Sequence, residues 1–133
     1  MDRRALETLQ AAAPTAELAY HARAAGLAES AFSWYLAAGD EAAQVAAVRD
    51  AISFYEQARQ MLTERWHGQG LSATLPAPQI EPLYTHLGQA YELHGEQEKA
   101  RAVYQLLLAY SQNVGIPALE RTALTRLATL TAQ

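Results

Sequence analysis

An all-α fold of antiparallel helix hairpins, about seven helices in all, is what this 133-residue sequence predicts, and three observations lead there. Apolar residues recur at three- and four-residue intervals, the spacing of one helix face. Glycine and proline fall between those segments, where helices stop and start. Alanine inflates the hydrophobic share of 50%; it favours helix and lets neighbouring helices come close. A chain of this length suits one domain, 1–133, with a core that needs no staples.

The elements follow in order. Ala5 to Gln10 suit a helix, and Pro14 opens a second one in its first turn, with Leu18, Ala19, Ala22 and Ala25 as the buried stripe. Gly26 ends it, and Leu27 to Ala38 carries Leu27, Ala31, Trp34, Tyr35 and Ala38 on one face, giving a hairpin over 14–38. Gly39-Asp40 reads as a stop followed by a cap. A short helix from Glu41 to Val48 and a longer one from Asp50 to Trp66, with Ile52, Tyr55, Ala58, Met61 and Leu62 aligned, make a hairpin over 39–66. His67 to Gln79 holds two glycines and two prolines without a helical stripe, so 67–79 is an insertion loop. Helices from Ile80 to His94 and from Glu96 to Asn113 form a hairpin over 80–114, and Pro117 starts a terminal helix over 117–132.

The second half carries a pattern of large and small residues. Tyr84-x2-Leu87-Gly88-x2-Tyr91 is followed by Gly95, Ala100, Tyr104 and Leu107. Gly88 lets a partner helix approach, Leu87 and Tyr91 fill the space between the pair, and Ala100 avoids holding them apart. The second-helix signature recurs as Ala31-Tyr35-Ala38 and Ala51-Tyr55-Ala58. This pattern resembles the tetratricopeptide repeat (TPR), which implies hairpins stacked as a short right-handed superhelix. The spacings depart from that family's repeat of about 34 residues: 51 minus 31 is 20, and 100 minus 51 is 49. The excess in the second gap matches the stretch beginning at His67. The runs Leu18 to Gly26, Ala31 to Ala42 and Ala51 to Ala58 also look like the helical arms of large bacterial signal-transduction ATPases and transcription regulators. That resemblance implies a fragment of a larger protein, serving protein binding, signal transduction and transcription regulation.

Chemistry is sparse. There is no cysteine, hence no disulfide and no thiolate site, which suits a cytoplasmic location. No apolar run reaches the length of about 20 residues that spans a bilayer. The formal charge of -4, with basic residues scattered, disfavours nucleic acid. Phosphate-binding loops and nucleophile elbows are missing. His21, His67, His86 and His94 show no ligand spacing. No enzyme activity, cofactor or metal is therefore expected.

The TPR resemblance places a partner-binding concave face on first-helix residues, here Tyr20, Arg23, Gln44, Thr85, Gln89 and Glu92. A family clamp for C-terminal carboxylates has lysine and asparagine where Thr85 and Gln89 stand, so that clamp is disfavoured. The nominated groove is neutral to acidic, which favours a polar or basic segment. The expected partner is a protein or peptide, or another domain of the parent chain, with no nucleic acid and no membrane. A small-molecule sensor with a pocket between helices is the alternative, and a homo-oligomer paired through the last helix a third reading.

Overall fold

The computed structural model describes the backbone of residues 3–68 and 77–132, and the side chains of 14–62 and 80–132. Six helices make up these residues, with no strand among them: α1 Arg3–Ala24, α2 Ala28–Gln44, α3 Val48–Gly68, α4 Ala77–Leu93, α5 Gln97–Val114 and α6 Pro117–Ala132. They gather into two compact units, Met1–Leu75 with α1 to α3 and Pro76–Gln133 with α4 to α6. Within the first, α2 packs on both α1 and α3; within the second, α5 packs on both α4 and α6.

Among the described residues the helix count is six, not about seven, for two local reasons. Pro14 lies inside α1 and does not open a new helix. A proline removes one helical hydrogen bond, but Ala11, Ala12 and Ala13 just before it are the strongest helix formers. Gly39 likewise sits inside α2, so the expected boundary between 38 and 39 disappears and the short helix from Glu41 merges with the preceding one. The loop expected over 67–79 is also shorter at both ends, because α3 runs to Gly68 and α4 starts at Ala77. Its centre, 69–76, lies outside the described residues.

α1, α2, α4 and α5 end where one residue, Gly26, Ala46, Gly95 or Gly115, takes a left-handed conformation. After α1, Leu27 N donates to Ala22 O at 2.9 Å and Gly26 N to Arg23 O at 3.1 Å. After α4, Glu96 N donates to Tyr91 O at 2.8 Å and Gly95 N to Glu92 O at 3.1 Å. These paired bonds satisfy the last carbonyls of the helix. The turn after α2 makes the same pair, Ala47 N to Ala42 O and Ala46 N to Ala43 O, but with Ala46 at φ 60° where the turn after α4 has Gly95 at φ 81°. The stop of α2 is thus an alanine in a conformation glycine prefers, a position that composition does not flag.

Gly39 performs a different task. A Cβ there would stand 2.6 Å from Cδ1 of Tyr55, and one at Gly88 would stand 2.7 Å from the hydroxyl oxygen of Tyr104, with other ring atoms nearer. Both tyrosines are buried, at 1% and 0% exposure, so neither ring has room to withdraw. Each glycine is the slot that seats the next helix's tyrosine. A constant step of 49 (88 minus 39, 104 minus 55) carries the buried residues of one hairpin onto the other. Ala31, Tyr35, Ala38 and Ala42 of α2 correspond to Ile80, Tyr84, Leu87 and Tyr91 of α4. Ala51, Tyr55, Ala58 and Met61 of α3 correspond to Ala100, Tyr104, Leu107 and Tyr110 of α5. Ala31-Tyr35-Ala38 lies on α2, which packs on α1 as the second helix of one hairpin and on α3 as the first helix of the next.

Candidate functional site

The second unit places polar residues of α4 against α6. Gln89, with its amide carbonyl turned toward Arg126, accepts from Nη1 at 3.2 Å and Nη2 at 2.8 Å. One turn further on, Glu92 Oε2 accepts from the Tyr104 hydroxyl at 2.6 Å. At the other end of this row, about two turns before Gln89, Glu81 Oε1 lies 3.5 Å from Thr122 Oγ1, which also faces the Ala118 carbonyl at 3.1 Å. The row on α4 at 81, 85, 89 and 92 thus follows helical spacing and meets α6 at two points.

The electrostatics of this cluster follow from burial. The Tyr104 phenol is pushed well above its ordinary range, first by desolvation and then by the Glu92 carboxylate beside it, while the Arg126 charge acts in the opposite sense. The Tyr104 hydroxyl therefore remains a proton donor to Glu92. Tyr55 is raised in the same way, by burial and then by Asp40, whose Oδ1 accepts its hydroxyl at 2.5 Å.

Along α6 runs an open groove of about 480 Å³ lined by Ala118, Arg121, Thr122, Thr125, Arg126 and Thr129. Those positions are one helix face, spaced by three and four. The groove has two guanidinium groups and three hydroxyls, and no carboxylate among its lining residues. This face is a different surface from the neutral-to-acidic one expected on first-helix residues: α6 brings two arginines to positions that the first-helix pattern did not include. The sequence signal was present in Arg121, Thr122, Thr125, Arg126 and Thr129, but the nominated face was drawn from first-helix residues alone.

The six residues nominated from sequence have different fates. Gln89 and Glu92 face polar partners as described. Thr85 is buried at 8% exposure, and its hydroxyl is engaged by its own helix, 3.0 Å from the Glu81 carbonyl and 3.3 Å from that of Pro82. In the first unit, Tyr20 is 65% exposed with its ring edge-on to His21 at 5.6 Å. Arg23 Nη1 donates to Gln57 Oε1 at 2.7 Å, tying α1 to α3. Gln44 is exposed as the last residue of α2. Nearby, Thr15 Oγ1 donates to Glu41 Oε1 at 3.2 Å, and Glu41 Oε2 is buried without a partner.

Among the described residues, no group of three or more His, Asp or Glu is arranged to hold a metal ion, and no helix is long and apolar enough to cross a membrane. Comparison of the chain with protein-family models, with curated proteins and with solved structures gave no match.

Proposed function

We propose that this chain is a polypeptide-binding helical-repeat module of the TPR kind, with no catalytic role, and that the α6 groove beside α4 receives the bound segment. The groove itself carries the reading. It is open, about 480 Å³ in volume, and lined by hydroxyl and guanidinium groups at helical spacing. Its length from Ala118 to Thr129 is about 16 Å along the axis, the reach of about five residues of extended chain. An open trough of that length favours a strand of polypeptide over an enclosed metabolite. The glycine-tyrosine slot repeated in α2/α3 and α4/α5 favours a repeat built from like hairpins; the setting proposed for it is a cytoplasmic regulatory arm of a larger signalling ATPase or transcription regulator.

A displayed library of random octapeptides, selected on the full chain, tests the proposal. Thr125 is exposed on the groove floor, so Thr125→Trp fills the trough without touching the core. Selected peptides should lose at least tenfold in affinity for that variant. Selection that yields no binder, or binders indifferent to Thr125→Trp, removes the reading.

A further inference from the structure

We propose that the segment taken by the α6 groove is acidic, with two of its carboxylates meeting Arg121 and Arg126; this rests on the polypeptide-binding reading above. Charge complementarity is the reason. Arg121 is exposed, and neither it nor Arg126 forms an ion pair among the described residues. Arg126 is half-buried, and its partner is the neutral amide of Gln89, which orients the guanidinium without cancelling its charge. That orientation counts, because a guanidinium held in place loses less freedom when a carboxylate arrives.

The neighbouring carboxylates Glu81 and Glu92 each bond a hydroxyl, and neither is among the residues that line the groove. Glu92 accepts from Tyr104, whose buried phenol keeps its proton and so keeps that bond. Glu81 faces the Thr122 hydroxyl on the α4 side of the groove. What the trough presents to an incoming chain is therefore two guanidinium groups, with the side chains of Thr125 and Thr129 between and beyond them. Thr129 returns its own hydroxyl to the Thr125 carbonyl at 2.9 Å, which leaves its oxygen able to accept.

Spacing narrows the ligand further. Arg121 and Arg126 are five residues apart on one helix, about 7.5 Å along its axis. Two residues of extended chain cover about 6.7 Å. Carboxylates two residues apart match that axial rise, and because five steps of about 100° put the arginines about 140° apart around the helix, the strand lies between them with one guanidinium on either side. Nucleic acid fits less well, because a phosphate backbone is held by many cations and the chain carries a formal charge of -4.

The test uses the full isotope-labelled chain and four probes: acetylated octapeptides of alternating Glu-Ala, Gln-Ala and Lys-Ala, and an oligothymidylate of eight nucleotides. The Glu-Ala peptide should shift the backbone amides of 118–129 in a saturable manner that weakens with salt. Arg121→Gln should lower its affinity about threefold to fivefold and Arg121→Glu by more, with amide spectra otherwise unchanged because the side chain is exposed. Equal response to the Gln-Ala peptide, preference for Lys-Ala, or an equal or stronger response to the oligonucleotide overturns the acidic segment. The broader reading survives the first two of those outcomes, since a peptide still binds. Silence of α4 and α6 toward all three peptides removes the acidic segment, and the library selection then decides the broader reading independently.

Discussion

In α2/α3 the tyrosine seated against Gly39 is anchored by Asp40, the very next residue; in α4/α5 the tyrosine seated against Gly88 is anchored by Glu92, one turn further on. The steric slot is the same and the polar anchor has moved. Its old position, next to the glycine, is Gln89 in the second hairpin, and that amide is what reaches Arg126 on the following helix. Moving the acid by one turn leaves the tyrosine satisfied and frees a position to engage a third helix. The comparison teaches that slot and anchor are separable parts of the hairpin.

The largest effect is expected from closing the slots. Gly39→Leu should lower the stability of α2/α3, and Gly88→Leu that of α4/α5, by about 3 kcal/mol, because a side chain there meets a buried ring on close-packed neighbours. Amide hydrogen exchange resolved by helix should show the loss concentrated in the mutated hairpin. Equal loss in both hairpins would break the equivalence drawn between them.

Next comes alkaline pH. Both anchored phenols ionise less readily in the folded chain than unfolded, with burial as the main cause. A group raised in this way contributes its stability fully below its unfolded value near pH 10, and the contribution falls as pH rises beyond that. Denaturant midpoints should be level up to about pH 9 and decline above about pH 10. Tyr55→Phe with Tyr104→Phe should flatten that decline, at a loss of about 1 kcal/mol each near neutrality from the missing hydrogen bond.

A transplant sharpens the comparison. Asp40→Gln alone should destabilise α2/α3 by about 1 kcal/mol through loss of the charged acceptor. Adding Ala43→Glu, the counterpart of Glu92 at the same step of 49 (92 minus 43), should restore most of it. Urea titration of the single and double variants reads the difference. The smallest change concerns the turns: Ala46→Gly relieves a positive φ and should gain about 0.5–1 kcal/mol, whereas Gly95→Ala should lose a similar amount.

Much of the second hairpin was legible in the sequence. Gly88 as a point of close approach, Leu87, Tyr91, Ala100 and Tyr104 as packing residues, and the boundaries near 95 and 115 agree with the structure. The first hairpin misled because glycine has two uses, ending a helix or thinning one. What separates them is a tyrosine sixteen residues on (55 minus 39, 104 minus 88), a contact across a turn that local pattern does not register. Thr85 was hard to place for a similar reason, since a threonine in a helix satisfies itself against its own backbone and leaves no polar trace of which way it faces. The α6 groove went unseen because its arginines lie outside the repeat pattern used to choose first-helix residues.

The glycine slots also bear on the order of folding. A glycine in mid-helix costs about 1 kcal/mol relative to alanine, so α2 and α4 each carry a weak point for as long as they stand alone. The compensation arrives only with residue 55 or residue 104, when the ring docks. Each first helix is then a structure in waiting, gaining its persistence at the moment its successor forms. In a chain synthesised from the N-terminus, α2 can settle long before Tyr104 exists, and refolding rates should slow on Tyr55→Ala and Tyr104→Ala where that docking belongs to the transition state.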